Sequence, residues 1–360
     1  MSVISDYLKD PFLNQLYQSI RNAGPIKSVS LDITHKCNLR CTGCYYFQEG
    51  MDVRVRPGDD RDLLNWVLNE KKRGTNFVTI VGGEPSLEID RLRLLYRHFK
   101  LNVATNGLVR IPEEGLEDMP IGVAIWGNTK SDSQLRANGK RDLFSRALKN
   151  YKNDSRAFWY YTVAPGLAHE VYEVVERCIE NGNRILFNYY SDLARKGTGY
   201  DFADGANALH EVIEDVMEKY PNKVLSMPYL HEVIMTGSLK GQQWGYDVCT
   251  NLSTDFKGNS HRLENGNPYN RHFRAYNADF TTSRRCCTGV ERDCTTCMDT
   301  WEHYSWIMIQ LKKHLSSKED FANWLVVMYS FYLINRLVPD VISDTLLRTL
   351  HRYSNTAKLV

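Results

Sequence analysis

"CNLRCTGC", residues Cys37 to Cys44, places three thiols at gaps of three and two residues and then runs straight into two tyrosines. The set is one ligand short of four. Three chemistries use such a group: a zinc site with His35 as the nearby fourth ligand, a redox pair with a bystander thiol, or three ligands of an iron–sulfur cluster. Zinc accounts neither for the position of the group after an apolar run nor for the glycine motif further along. A cubane held by three protein thiolates leaves one iron open to an outside ligand, and an open coordination position marks a catalytic rather than a structural metal centre.

Working outward, the run before the cysteines, 28–33 (SVSLDI), reads as a strand, and further strand candidates follow at 76–81, 101–105, 121–126, 156–163 and 184–189. Amphipathic stretches at roughly 60–73, 87–99, 141–152 and 168–182 read as helices between them. The alternation predicts an α/β chain with a parallel sheet, organised as a partial (β/α)6 TIM-like barrel over 28–220. Residues 1–27 form an N-terminal helical extension in this reading, and 221–360 a C-terminal cysteine-containing domain with a helical tail from 299. In parallel barrels the functional loops follow the C-terminal ends of the strands. The cysteine triplet follows the first strand, "GGEP" (82–85) the second and "TNG" (105–107) the third, so the three motifs converge on one rim.

Apolar residues make up 42% of the 360 and charged residues 24%, which excludes disordered and collagen-like classes. A formal net charge of +2 leaves no electrostatic case for a nucleic-acid partner. The N-terminus carries charges where a secretory signal needs an unbroken apolar core, so a cytoplasmic location is expected. Nine cysteines, clustered and without such a signal, then point to metal or redox chemistry rather than disulfides. The most apolar run, 321–338, includes Asn323, Asn335 and Arg336 and reads as a buried or interface helix, not a membrane span.

C-x3-C-x2-C after the first strand of a partial barrel, with GGEP after the second, resembles the radical S-adenosylmethionine (SAM) superfamily. The resemblance covers about residues 28–200. It implies a [4Fe-4S] cluster on Cys37, Cys41 and Cys44 with an open iron that SAM chelates. One electron then cleaves SAM to a 5′-deoxyadenosyl radical that abstracts hydrogen from, or adds to, a substrate. Gly82, Gly83, Glu84 and Pro85 match the motif that holds the methionine amino group. Where the family often has an aromatic residue before the third cysteine, this chain has Gly43, which shifts the implied adenine contact to Tyr45 or Tyr46. "AIWGN" (124–128) departs from the family's usual turn after strand four. Asn106 stands where a polar rim residue reaches SAM or substrate, or equally where a turn precedes Gly107.

A second group, Cys249, Cys286, Cys287, Cys294 and Cys297, lies outside the barrel. Cys249, Cys294, Cys297 and one of the doublet, Cys287 with Cys286 as the alternative, would close an auxiliary [4Fe-4S] cluster, or a zinc knuckle of the same spacing. The run "CTTCMDTWEHYSWIM" is similar to the C-terminal region of adenosyl-hopene synthase type enzymes. Cys178 sits at helical spacing with valines and reads as core. Trp159, Tyr160, Tyr161, Tyr189 and Tyr190 supply ring surface near the rim, of which strand alternation lets only every second ring face inward, as barrel-wall packing or as substrate lining, and Glu302 and His303, beside Trp301, either support a site from outside or are merely polar helix residues. The expected function is hydrogen abstraction from a small organic substrate, with a flavodoxin or ferredoxin as electron donor. The alternatives are adenosyl-radical addition, peptide maturation, and a non-catalytic iron–sulfur or zinc sensor. Only ~27 residues precede the first strand, too few for a separate peptide-recognition domain.

Overall fold

Each apolar run becomes a strand: β1 (Ser28–Asp32), β2 (Phe77–Val81), β3 (Lys100–Thr105), β4 (Ile121–Ile125), β5 (Ala157–Val163) and β6 (Arg184–Tyr189). The computed structural model describes residues 3–42, 44–48, 55–191, 205–239, 249, 251–260, 270–286 and 297–354. The six strands pair in chain order and in parallel, as their near-continuous burial requires of a sheet covered on both faces. Two further strands, β7 (Ala275–Tyr276) and β8 (Ser283–Arg284), extend the same sheet from the free edge of β1, giving the order β6-β5-β4-β3-β2-β1-β7-β8. The result is an open, partial TIM-like barrel in which one sheet runs through the boundary drawn at residue 220. A buried ion pair between Asp32 at the end of β1 and Arg284 on β8 fixes that junction.

Helices cover the convex face. Helix Asp60–Arg73 starts at a reciprocal cap: the amides of Arg61 and Asp62 donate to Asp59 Oδ1, and the Asp59 amide donates to Asp62 Oδ2. Phe144 on helix Leu143–Tyr151 meets Trp159 of β5 edge to face at 6.0 Å. Trp159 therefore faces the helices. Phe158 and Tyr160 face the other way, against Gly122 of β4.

The concave face is closed by the C-terminal helices. The apolar run at 321–338 lies mostly in helix Lys318–Ile334, capped by Ser317, with Phe331 packing on Phe77 of β2 and on Trp301 of helix Thr300–Ile309. Asn102 of β3 donates to Asn335 Oδ1 at 2.7 Å. No helix among the described residues is long and apolar enough to cross a membrane.

Candidate active site

The cysteine loop is built onto the rim by backbone contacts that only glycine permits. The amide of Gly83 donates to the Thr34 carbonyl at 2.8 Å and that of Glu84 to the Lys36 carbonyl at 2.7 Å, so the GGEP turn docks along the chain leading into Cys37. A Cβ on Gly83 would overlap the Lys36 carbonyl oxygen, and one on Gly82, where φ is +114°, would sit 2.9 Å from the Thr34 oxygen. Close approach of backbone to backbone explains both glycines.

Glu84 turns inward. Its side chain is buried, and its carboxylate accepts from the Ser86 amide at 2.9 Å, the Thr105 hydroxyl at 2.6 Å and the Asn106 amide at 2.8 Å. It thereby clamps the second rim turn to the third. Pro85 opens the short 3-10 turn Pro85–Leu87 that Glu84 caps. Asn106 in turn reaches the cysteine loop: its Nδ2 donates to Asn38 Oδ1 at 2.6 Å while its Oδ1 accepts from the Leu108 amide. One end of the side chain thus serves the turn and the other holds the cysteine loop.

Cys37 and Cys41 pack on a small apolar bed of Leu39, Leu108 and Leu143. Burial lifts the thiols of Cys37 and Cys44 to about 11. Burial raises Cys41 as well, against the pull of the guanidinium of Arg136, which hydrogen bonds its sulfur. Arg136 is itself buried, donating to Asp132 Oδ1 at 2.9 Å, to the Ala124 carbonyl at 2.7 Å and to the Asn106 carbonyl at 3.3 Å. Neither residue was apparent in the sequence. Their helix, Thr129–Ala137, has one leucine and no apolar stripe, and the i,i+4 Asp–Arg spacing was the available signal.

Among the described residues, the ligand atoms of the three cysteines do not form a group within 4.8 Å of one another; the group that does is His210, Glu214 and Glu232. A single tetrahedral zinc with Zn–S near ~2.3 Å draws its sulfurs closer than that. His35, the proposed fourth zinc ligand, has Nδ1 2.9 Å from the Tyr46 hydroxyl. Three thiols on one short loop, two of them over an apolar bed and one beside the Arg136 guanidinium, are a donor set that suits an iron–sulfur cluster. The side chain of Tyr45 is not among those described.

Beside the loop a narrow recess is lined by Thr42, Trp126, Thr162, Leu167 and Tyr190, with the rings of Trp126 and Tyr190 edge to face at 5.8 Å. Inside the barrel a polar chain crosses from β5 to the C-terminal helices: Asn188 Nδ2 donates to the Thr162 hydroxyl at 3.3 Å, and the Thr300 hydroxyl to Asn188 Oδ1 at 3.3 Å. Tyr189 faces away and meets His231 Nδ1 at 2.7 Å.

Of the second cysteine group, Cys249 is buried, Cys286 forms a β-bridge with Leu252, and Cys297 precedes helix Thr300–Ile309; Cys287 and Cys294 lie outside the described residues. The carboxylate of Glu302 bonds the half-buried Cys297 thiol, and burial lifts Asp299 to about 6, the nearby Cys286 thiol adding to the rise. His303 Nδ1 lies 2.9 Å from the Asp299 carbonyl. Cys178 is fully buried in the core.

The profile of the Radical SAM superfamily matches residues 31–190. Sporulation killing factor maturation protein SkfB of Bacillus subtilis is 28% identical over 43% of this chain, a match that spans 40% of SkfB. A GTP 3′,8-cyclase of Staphylococcus saprophyticus is 21% identical over 64% of this chain and 73% of its own length. Among solved structures, Streptococcus suis SuiB bound to S-adenosylmethionine is 22% identical, covering 54% of this chain and 48% of its own at a TM-score of 0.41. The anSMEcpe protein with bound AdoMet covers 88% and 99% at 16% identity and a TM-score of 0.49. The cysteine loop, the GGEP turn and the TNG turn all lie inside the matched segment, so residues 31–190 match the radical SAM superfamily at the motifs of the rim.

Proposed function

We propose that this enzyme cleaves S-adenosylmethionine reductively at the C-terminal rim and uses the product to abstract hydrogen from a small organic substrate. The observation that carries the reading is the mounting of Cys37, Cys41 and Cys44 on one loop. That loop is pinned on one side by the GGEP turn and on the other by Asn106 and Arg136. When bound on these thiolates, a [4Fe-4S] cluster supplies the electron for cleavage and an open iron for the amino-acid end of SAM. Arg136 offsets thiolate charge at Cys41, and the leucine bed under the loop excludes water. With the Gly83 and Glu84 amides already bonded, the turn offers an ammonium its carbonyl oxygens. Trp126 and Tyr190 give the recess at Thr42 the flat walls that suit a purine, and Thr162 and Asn188 can orient substrate polar groups.

Cys249, Cys294, Cys297 and one of Cys286 and Cys287 would hold an auxiliary cluster. Glu302 and Asp299 lie beside the described thiols and would border that group. Peptide maturation is the second reading, supported by the similarity to SkfB. The test is anaerobic reconstitution with iron and sulfide, an iron count, and 5′-deoxyadenosine release with dithionite and SAM. About eight irons and product in the wild type, with about four irons and no product in C37A/C41A/C44A, is the expected result. Iron without SAM binding would overturn the enzymatic reading in favour of a sensor.

A further inference from the structure

Helix Ala206–Lys219 and helix Pro228–Thr236 pack together on the outer side of β6. Between them they bring His210, Glu214 and Glu232 into one group whose ligand atoms all lie within 4.8 Å of one another. His210 and Glu214 are one helical turn apart and so share a face, and Glu232 comes from the second helix. His210 Nε2 stands 3.6 Å from Glu214 Oε2 and 3.3 Å from Glu232 Oε2. Among the described residues no hydrogen bond joins the ring to either carboxylate, and its buried Nδ1 has no partner either.

The ring is held from behind. His231, 1% exposed, stacks on it with centroids 4.9 Å apart and planes 19° apart, and is anchored in turn by the Tyr189 hydroxyl at the end of β6. The His231 Nε2 is a second buried nitrogen without a partner. The two carboxylates have no Lys or Arg counter-charge among the described residues, and Lys219, the lysine of the first helix, is engaged by Glu176. Like charges brought this close repel, and unpartnered buried nitrogens beside them mark a place where an ion belongs.

The spacing selects the ion. Two ligand atoms at about 2.1 Å from a tetrahedral zinc lie about 3.4 Å apart, which is the separation that His210 keeps from both carboxylates. Imidazole suits zinc-class ions, whereas calcium and magnesium take oxygen shells. We propose that His210, Glu214 and Glu232 bind one divalent ion of the zinc class, which clips the two helices together behind Tyr189. His210 Nε2 supplies its lone pair, so the ring proton resides on Nδ1, and the partly exposed carboxylates leave the fourth position to water. The site is separate from the cysteine rim and stands whether or not a cluster occupies that rim.

The test compares the reconstituted enzyme with E214Q/E232Q and, as a second variant, H210A. Each is stripped with EDTA, exposed to zinc, gel-filtered and assayed for metal by plasma mass spectrometry. Wild type should retain one more zinc per chain than either variant; any zinc held by cysteines is common to all three and cancels in the difference. Zinc should raise the Tm of EDTA-treated wild type by roughly 2–5 °C and leave that of the variants unmoved, and a millimolar excess of magnesium should not reproduce the rise. Equal zinc in wild type and both variants overturns the proposal. So does a wild-type Tm that zinc leaves unmoved while the variants lose stability at pH 6 in EDTA, the signature of a protonated His210 paired with the two carboxylates.

Discussion

Arg136 and Asp132, one helical turn apart, form a buried pair at 2.9 Å whose guanidinium also reaches the Cys41 sulfur. The pair couples the helix after β4 to the cysteine loop. Removing only Arg136 leaves a carboxylate with no exposed surface and no counter-charge, which costs about 3–5 kcal/mol. R136A should lose that much in urea denaturation and take up less iron, whereas D132N/R136M should recover most of the stability without recovering the iron. Equal iron content in the double variant and the wild type would show that Arg136 acts only as a structural residue.

Gly83 makes a sharper case, because the obstacle to a side chain is backbone. In G83A the new methyl group meets the Lys36 carbonyl, so the GGEP turn and the cysteine loop must separate. Overpacking of this kind costs about 1–3 kcal/mol, with the barrel itself left intact. The expected outcome is a native far-UV circular dichroism spectrum together with iron bound to the first site falling several-fold. A fully loaded G83A protein would contradict the docking role assigned to this glycine.

Glu84 serves as an internal clamp. E84Q preserves the shape of the side chain but turns an NH2 group toward one of three donors, the Ser86 amide, the Thr105 hydroxyl or the Asn106 amide. One buried donor then goes unsatisfied at a cost of about 1–3 kcal/mol. Thermal denaturation should show that loss, and E84A, which leaves all three donors without their acceptor, should lose more.

The six parallel strands were legible because strands buried on both faces are apolar nearly throughout, and the rim motifs followed from strand order alone. Helix Thr129–Ala137 was not legible. Its sequence is polar, its local signals, the Asn128 cap and the i,i+4 Asp132–Arg136 pair, give no apolar stripe, and what fixes it to the rim is Arg136 reaching the Ala124 and Asn106 carbonyls, a tertiary fact. The two-residue strands β7 and β8 are too short for any periodicity, so their attachment to β1 was hidden too. For Glu84 the motif marked the position but not the direction of its carboxylate. Strand alternation said that only some of Trp159, Tyr160 and Tyr161 face inward, and the identity of the inward residue, Tyr160, required knowing where the helices pack.

Acid should unfold the protein through its buried histidines. Burial holds His351 down to about 4, with its ring Nε2 2.9 Å from the Val224 carbonyl. Burial, and then the neighbouring His210, hold His231 down to about 3; its ring bonds the Tyr189 hydroxyl and stacks on His210 at 4.9 Å, with Glu214 and Glu232 beyond. Burial also lowers His314 and His272. A folded-state pKa below the unfolded value of about 6.5 favours the neutral ring, so the stabilisation is complete above pH ~6.5 and is lost as pH falls toward 4 and then 3. Each such histidine adds up to ~1.4 kcal/mol per pH unit to the slope of stability in that window. H351Q, whose amide can still donate to the Val224 carbonyl, should therefore flatten the slope between pH 6 and 4.5 by about one proton while costing ~1 kcal/mol at pH 7.5. Urea unfolding at half-unit pH intervals measures both quantities, and an unchanged slope would mean that His351 is already charged in the fold.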